Sequence, residues 1–203
     1  MLRSLRNISR LLGIARLLAR HDALFSLEHL NLAPTIIYTA RWLSGRNVNG
    51  RPGQRLALAL TEAGPSFIKL GQVLATRSDL LGEDLAKDLS DLQDRLPPFP
   101  SSDARKTIEA EFKCSLEEIF KIFTEKPVAA ASIAQVHFAV TNDGREVAVK
   151  ILRPNIEAAF ARDLDLLNWV ANLIERARPD LRRLKLPKVV QTLSDSVDVE
   201  MDL

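Results

Sequence analysis

The spacing of the apolar residues changes twice along this chain of 203 residues, and that change limits the folds open to it. Residues 127–152 are rich in Val and alternate apolar with polar side chains, with the tripeptide "NDG" at 142–144 among them. Alternation is typical of strands, and Asn-Asp-Gly is typical of the tight turn between two strands. The segments on either side repeat their apolar residues at the helical spacing. We therefore expect an α+β fold in which a β-hairpin lies between helical segments.

Gly and Pro residues mark the expected ends of the helices. The Gly/Asn/Pro-rich stretch 44–54 predicts a linker, and helix interruptions are expected at Gly64-Pro65 and near Leu81-Gly82. The prolines of "PPFP" stop the next helix, after which Ser101 or Ser102 is the expected N-cap. Helical spacing returns after Pro154, is interrupted at Pro179, and resumes from about residue 188.

Positive charge is concentrated at the front of the chain. Residues 1–60 hold nine arginines against Asp22 and Glu28, whereas the remainder carries more acids than bases. Residues 1–20 place their leucines near one helical face between arginines, which predicts a basic amphipathic helix. Three interpretations stay open: a helix that packs on the rest of the protein, a helix that lies on an anionic membrane surface, or a targeting peptide that is removed.

Several classes of site and partner are not expected. The single cysteine, Cys114, excludes an internal disulfide, and the scattered His21, His29 and His137 have no zinc-ligand spacing. This pattern fits a reducing compartment. No run of about 18 apolar residues occurs, so any membrane contact of this stretch is expected to be peripheral. We expect no metal site within the chain and no nucleic-acid partner.

The stretch "AAASIAQV" at 129–136 places alanines where phosphate-binding loops carry glycines. Ala129, Ala131 and Ala134 stand at the three glycine places of G-x-G-x-x-G-x-V, Val136 stands at the final valine, and "VAVK" ends at Lys150. A glycine-rich loop followed by such a lysine opens a protein-kinase nucleotide site. Alanine removes the backbone freedom that glycine supplies. The stretch therefore predicts either an altered nucleotide loop or an apolar turn packed beneath the hairpin.

The position of Lys150 favours the nucleotide interpretation. Strand alternation places its side chain on the same face as Ala148 and opposite to Val149. A lysine that points inward from a central strand needs a carboxylate or a phosphate, because an unpaired buried ammonium is unfavourable. The alternative is a solvated lysine on an edge strand.

Two further polar clusters are candidates. In "FIKLGQ", Lys69 and Gln72 share a helical face, and Gly71 permits another element to approach closely. The alternative is an ordinary polar helix face. Near the chain's end, Glu200 and Asp202 are two residues apart, so on a helix they do not lie side by side and are expected to serve different partners.

Together these pieces resemble the UbiB family of atypical protein-kinase-like proteins. The resemblance rests on a KxGQ motif at Lys69, Gly71 and Gln72, on the alanine-rich loop "AAASIAQVH", on "DGREVAVKILRP", and on an ExD motif at 200–202. It covers roughly residues 50–203.

The resemblance implies a protein kinase-like N-lobe preceded by a helical extension that folds over the active site, where KxGQ meets ExD. The implied segments are a basic amphipathic stretch at 1–50, a helical extension at 51–126 and a partial N-lobe at 127–203. Two sets of site residues follow. The implied catalytic residues are Lys69, Gln72, Glu200 and Asp202, and the implied nucleotide-binding residues are Ala129, Ala130, Ala131, Ser132, Ala134, Val136 and Lys150.

The resemblance also implies a function. ATP or ADP would bind with Mg²⁺, whose ligands would lie outside this chain, in an ATPase or unorthodox kinase that supports ubiquinone biosynthesis. The implied partners are adenine nucleotide, an anionic lipid surface, and ubiquinone-biosynthesis enzymes or lipid intermediates. The implied location is the cytoplasmic face of the bacterial inner membrane, or alternatively the matrix side of the mitochondrial inner membrane. The family's other label, 2-polyprenylphenol 6-hydroxylase, has no support in the residues.

Alternatives remain at this stage. One is a non-catalytic, pseudokinase-like scaffold that binds nucleotide and membrane, and another is a helical interaction domain in which all three motifs are structural. The family continues beyond ExD into a catalytic loop and a Mg²⁺-binding Asp, and this chain stops at Leu203. We therefore expect a fragment or truncated product that lacks the C-lobe and does not turn over ATP unaided.

Overall fold

A computed structural model describes residues 2–24, 49–92 and 96–202, with side chains from residue 6 onward. These residues form two compact units. The first comprises Met1–Gln93 and Phe160–Val197, and the second comprises Asp94–Ala159 and Asp198–Leu203. The units cut across the three segments expected from the sequence.

Helices and a small antiparallel sheet account for most of the described residues, which confirms the α+β class. In chain order the elements are α1 (Leu2–Arg20), α2 (Pro52–Ala63), α3 (Pro65–Ala75), α4 (Ser78–Leu81), α5 (Glu83–Ser90), α6 (Ser101–Phe112), α7 (Leu116–Ile119), β1 (Phe120–Phe123), β2 (Ala129–Ala130), β3 (Ala134–Thr141), β4 (Glu146–Leu152), α8 (Ile156–Ala177), a 3₁₀ helix (Pro179–Leu184) and α9 (Leu186–Met201).

Helix boundaries in the first unit follow the glycine and proline signals. Gly64 separates α2 from α3 with φ of 113°, and Gly82 separates α4 from α5 with φ of 81°. Both values lie in the region that favours glycine, so the predicted interruptions are confirmed. The predicted linker is wrong at its end, because Pro52 begins α2, a position where its fixed φ suits a helix. Residues 44–48 of that linker lie outside the described residues.

Helix α1 packs within the first unit. The Nδ2 atom of Asn7 donates to Asp165 of α8 at 3.3 Å, and Arg10 is ion-paired with Asp163 at 2.8 Å. On its apolar side, Leu11 and Leu18 line a cavity of about 290 Å³ together with side chains of other helices of the unit. This is the arrangement that the packing-helix interpretation predicts. Among the described helices, none is long and apolar enough to cross a membrane.

A buried carboxylate joins the start of α2 to α5. The Asp88 side chain is only 6% exposed and accepts a hydrogen bond from Nε of Arg51 at 2.9 Å. The hydrogen bond and charge of Arg51 lower the pKa of the Asp88 carboxyl below its ordinary value. The ion pair therefore stabilises this corner of the unit only while Asp88 is ionised.

The sheet of the second unit is built around β3. Strand β4 pairs antiparallel with β3 along one edge, from Ala134 opposite Leu152 to Val140 opposite Glu146. Strands β1 and β2 also pair antiparallel with β3. The predicted turn is confirmed at 142–144, where Gly144 has φ of 88°. Strand β1 was not predicted, because four residues are too few to show an alternation.

One face of the sheet packs on helix α6. Its core contains Ala104 and Ile108 of α6 with Phe120, Ala139 and Ile151 of the sheet. Helix α6 therefore belongs with the sheet, although its sequence was assigned to the helical extension. The predicted serine N-cap is wrong. Helix α6 starts at Ser101 itself, whose hydroxyl donates to the carbonyl of Glu125 at 2.9 Å.

Candidate nucleotide-binding site

Three predicted site residues form a row across the sheet. Ala129 of β2 is paired with Val136 of β3, and Val136 is paired with Lys150 of β4. Directly paired residues project from the same face of a sheet, so this row presents two small apolar side chains next to an ammonium group. Ala129 and Lys150 are exposed and Val136 is half-buried. The row lies on the face opposite to the α6 core.

A second pair extends the apolar part of this face. Phe138 is paired with Ala148, one alternation along from the first row, and both are exposed. The intervening Val147, Val149 and Ile151 pack toward the core. The exposed face is therefore an apolar floor with a lysine at one side. An exposed apolar face of this kind can contact a flat ring, and the ammonium can pair with an anion.

The side chain of Lys150 contacts the backbone of the ExD motif. Its Nζ atom donates a hydrogen bond of 2.9 Å to the carbonyl oxygen of Glu200, a residue 50 positions later in the chain. The side chain faces the same side as Ala148, as the alternation predicted. It is exposed rather than buried, since β4 pairs only with β3 among the described strands. The structure thus shows the alternative, an exposed lysine on an edge strand, and its partner is a carbonyl and not a carboxylate.

The two acidic residues of ExD occupy different surroundings. Glu200 is half-buried in the last turn of α9, whereas Asp202 is exposed beyond Met201. The amide of Asp202 donates to the carbonyl of Asp198 at 3.1 Å, which continues the helical bonding. The prediction that the pair does not lie side by side agrees with this geometry.

The alanine-rich stretch forms a tight hairpin. The amide of Ala131 donates to the carbonyl of Ala134 at 2.8 Å, so β2 and β3 are joined through Ser132 and Ile133. These two connecting residues are 0% and 3% exposed, respectively. The connection is therefore packed inside the unit. The packed turn that one of the two interpretations predicted is therefore present, whereas the nucleotide loop stays a prediction.

Arg153, which was not among the predicted site residues, is hydrogen-bonded to the backbone of this hairpin. Its guanidinium donates to the carbonyl of Ala131 through Nη2 at 2.9 Å and Nε at 3.3 Å. The same Nη2 donates to the carbonyl of Pro97 at 2.8 Å. The guanidinium carbon also lies 5.6 Å from the ring centroid of Phe99. No spacing rule marks such an arginine, because these partners are two backbone carbonyls and a ring, all remote in sequence.

A series of hydrogen bonds between buried polar groups lies on the inner face of β3. The amide of Phe99 donates to Oε1 of Gln135 at 3.0 Å, which leaves the Gln135 amide nitrogen to donate to Nε2 of His137 at 2.9 Å. Nδ1 of His137 then donates to the carbonyl of Thr124 at 2.7 Å. This assignment makes His137 the Nδ1-protonated neutral tautomer. The ring of His137 stacks on Phe123 with centroids 4.8 Å apart.

The KxGQ residues lie on α3 in the first unit. Lys69 is only 6% exposed, and Nε2 of Gln72 lies 3.5 Å from the carbonyl oxygen of Leu92, at the limit of a hydrogen bond. A β-carbon added to Gly71 would lie 2.9 Å from Leu60 and 3.2 Å from Leu92. The close approach predicted for Gly71 is therefore present within this unit, and it offsets the low helix propensity of glycine.

No candidate metal centre is found in the described ranges, where no three His, Cys, Asp or Glu side chains cluster as ligands.

The part of the chain that contains the sheet matches a known protein family. Residues 91–203 match the family described as the ABC1 atypical kinase-like domain, and this stretch contains the sheet, Lys150 and ExD. The chain belongs to this family. The kinase-like assignment of the sheet-containing unit and the resemblance to the UbiB family are thereby confirmed.

Curated relatives bear the name "Probable protein kinase UbiB". The chain is 41% identical over 200 residues to the one from Pseudomonas paraeruginosa, covering 96% of this chain and 38% of that protein. It is 44% identical over 163 residues to the one from Shewanella sp. strain W3-18-1, covering 80% of this chain and 30% of that protein. The chain thus spans less than half the length of these relatives.

Among solved structures, the chain is similar to Rv3197 from Mycobacterium tuberculosis, determined in complex with erythromycin. The TM-score is 0.46 and the identity is 30%, over 81% of this chain and 40% of that one.

Proposed function

We propose that this chain carries the nucleotide-binding face of an atypical kinase or ATPase that supports or regulates ubiquinone biosynthesis. The observation that carries the proposal is the row formed by Ala129, Val136 and Lys150 on the exposed side of the sheet. It combines an apolar surface with a cation, which is the chemistry that an adenine base and its phosphates require.

The contact of Lys150 with Glu200 leaves it able to bind phosphate. An ammonium group has three N–H donors, and the carbonyl of Glu200 accepts one of them. The acceptor fixes the position of the ammonium, so that the other donors can meet an anion without further loss of side-chain entropy. We assign Lys150 to the phosphates and Val136, Phe138 and Ala148 to the base.

The adenine nucleotide would carry its Mg²⁺ to ligands that lie outside the described site. The ion would neutralise phosphate charge during phosphoryl transfer. The roles of Lys69, Gln72, Glu200 and Asp202 in such a reaction stay predictions.

The link to ubiquinone rests on the UbiB relatives. We propose on that basis a peripheral location at the bacterial inner membrane and partners among ubiquinone-biosynthesis enzymes or lipid intermediates. The basic helix α1 would contribute an attraction to anionic lipid through exposed arginines such as Arg16.

The test is complementation of a bacterial strain that lacks its UbiB protein. The strain receives the Pseudomonas paraeruginosa relative with residues 1–203 of this chain in place of the matching segment, and its ubiquinone content is measured. We expect ubiquinone to be restored by the hybrid and lost when Lys150 is replaced by Ala. Phosphate release by the purified hybrid separates an ATPase from a scaffold. Restored ubiquinone without phosphate release would support the scaffold, and no restoration would contradict the proposal.

A further inference from the structure

We propose that Arg153 is a positioning residue that locks the alanine-rich hairpin, so that the nucleotide preference of this hairpin depends on Arg153 as well as on its alanines. This inference rests on the proposed nucleotide site and concerns its regulation. The residues involved all belong to the second unit.

The guanidinium of Arg153 bridges two backbone segments. Nη2 of Arg153 donates to the carbonyl of Ala131 at 2.9 Å and to that of Pro97 at 2.8 Å. The backbone amide of Arg153 also donates to the carbonyl of Ile133 at 2.8 Å. The side chain of Arg153 therefore bonds the residue before Ser132, and its main chain bonds the residue after it.

An arginine suits this bridge better than a lysine would. Its planar guanidinium holds several donors in a fixed fork, and hydrogen bonds from a charged donor are stronger than those between neutral groups. The ring of Phe99, 5.6 Å from the guanidinium carbon, supports the same plane. A lysine keeps the charge but lacks the fork, which makes Arg153→Lys an informative conservative variant.

The position of Arg153 indicates that it acts through the hairpin and not by contact with the nucleotide. Lys150 projects from the exposed face of β4, whereas Arg153 follows the end of that strand at Leu152. The guanidinium contacts Pro97, Phe99 and Ala131, and none of these three residues belongs to the row next to Lys150.

This arrangement changes what is expected of the alanines. If alanine β-carbons alone stiffened the hairpin, Ala131→Gly would relax it and change the ratio of ADP to ATP affinity. The bond from Arg153, however, goes to the carbonyl of residue 131, and glycine retains that carbonyl. A glycine at this position therefore gains conformational freedom mainly when the arginine is also removed, so the two substitutions should act non-additively.

The first arm of the experiment measures hydrogen exchange in this chain without nucleotide. Two reporters are the amide of Ala131, bonded to Ala134, and the amide of residue 153, bonded to Ile133. Loss of hydrogen bonds to a charged group corresponds to roughly tenfold to hundredfold faster exchange in Arg153→Lys and Arg153→Ala. Arg145→Ala is the control, because Arg145 is exposed and pairs with Asp143 at the far turn.

Folding of each variant is checked by the protection of the Thr141 amide, which is bonded to the carbonyl of Arg145 at 2.9 Å. If this amide stays protected while the two reporter amides exchange faster, Arg153 holds the hairpin in place. Unchanged exchange of both reporters in Arg153→Lys and Arg153→Ala would overturn the proposal.

The second arm is a double-mutant cycle on the ratio of ADP to ATP dissociation constants. The chains compared are the parent, Ala131→Gly, Arg153→Lys and the double variant. We expect Ala131→Gly alone to shift the ratio less than about threefold, and the double variant to exceed the product of the single effects by about tenfold. Additive effects would overturn the proposal. If the parent binds neither nucleotide, the proposed function fails, whereas the exchange arm still decides whether Arg153 holds the hairpin.

Discussion

Nζ of Lys150 lies 2.9 Å from the carbonyl oxygen of Glu200, so the strand lysine is held by the backbone of the ExD helix. The glutamate side chain takes no part in this hydrogen bond. A substitution that changes only the end of the Glu200 side chain therefore keeps the acceptor of this hydrogen bond.

Glu200→Gln should accordingly leave Lys150 in place. The substitution removes a charge but keeps the carbonyl that accepts the hydrogen bond. We expect nucleotide affinity to change less than about threefold, which corresponds to less than about 0.7 kcal/mol. Titration calorimetry with ATP measures this. A loss of binding as complete as that of Lys150→Ala would show that the carboxylate itself is needed.

Gly71→Ala should stabilise the first unit less than Gly13→Ala does, although both substitutions add a residue that favours helix. Its β-carbon would lie 2.9 Å from Cδ1 of Leu60 and 3.2 Å from Cδ1 of Leu92, two side-chain ends that must shift to make room. Gly13 of α1 is the matched control, because a β-carbon there meets nothing within 4 Å. Gly13→Ala should raise the free energy of unfolding by about 0.5–1 kcal/mol. Urea denaturation of both variants measures the difference, and an equal gain in both would contradict the close approach at Gly71.

Asp88 should make the stability of the chain depend on acid pH. The hydrogen bond from Arg51 lowers the pKa of Asp88 in the folded state. Its contribution is therefore complete above the unfolded pKa of about 3.9 and is lost as the pH falls through the lower folded value. Unfolding at pH values from 2 to 6 measures this, with Asp88→Asn for comparison. The variant should lose part of the pH dependence below about pH 4, and an identical profile would contradict the assignment.

Helix α1 should associate with anionic vesicles in a salt-sensitive manner. Each basic residue near such a surface contributes about 1 kcal/mol, and added salt screens the attraction. Arg16 is exposed, so Arg16→Glu should weaken co-sedimentation with anionic vesicles. Arg145→Glu in the sheet turn is the control. Equal binding to neutral vesicles, or no binding to anionic ones, would leave only the packing role of this helix.

Local features of the fold could be predicted because their causes are local. Helix breaks at Gly64 and Gly82 depend on backbone conformations that glycine favours, and the turn at 142–144 depends on Asn, Asp and Gly. Strand alternation alone places Lys150 on the same face as Ala148, but the exposure of that face depends on β4 being an edge strand among the described strands.

The remaining features depend on contacts between distant residues. The hydrogen bonds from Lys150 to Glu200 and from Arg153 to Ala131 are both accepted by backbone carbonyls. Every residue has such a carbonyl, so the sequence does not indicate which one will be the acceptor. Strand β1 is short and gains its place by pairing with β3. The serine expected to cap α6 instead bonds Glu125, because the fold brings that carbonyl close.

The central claim is that the exposed sheet face binds an adenine nucleotide through Lys150, and nucleotide-dependent thermal stabilisation tests it most directly. ATP at about 100 times its Kd stabilises a protein by about 2.7 kcal/mol, which raises the Tm of a chain of this size by roughly 5–10 °C. Lys150→Ala should abolish this rise while leaving the Tm without nucleotide nearly unchanged, since the side chain is exposed. Lys121→Ala, which removes an exposed lysine from β1, should retain the rise. An undiminished rise in Lys150→Ala would contradict the account.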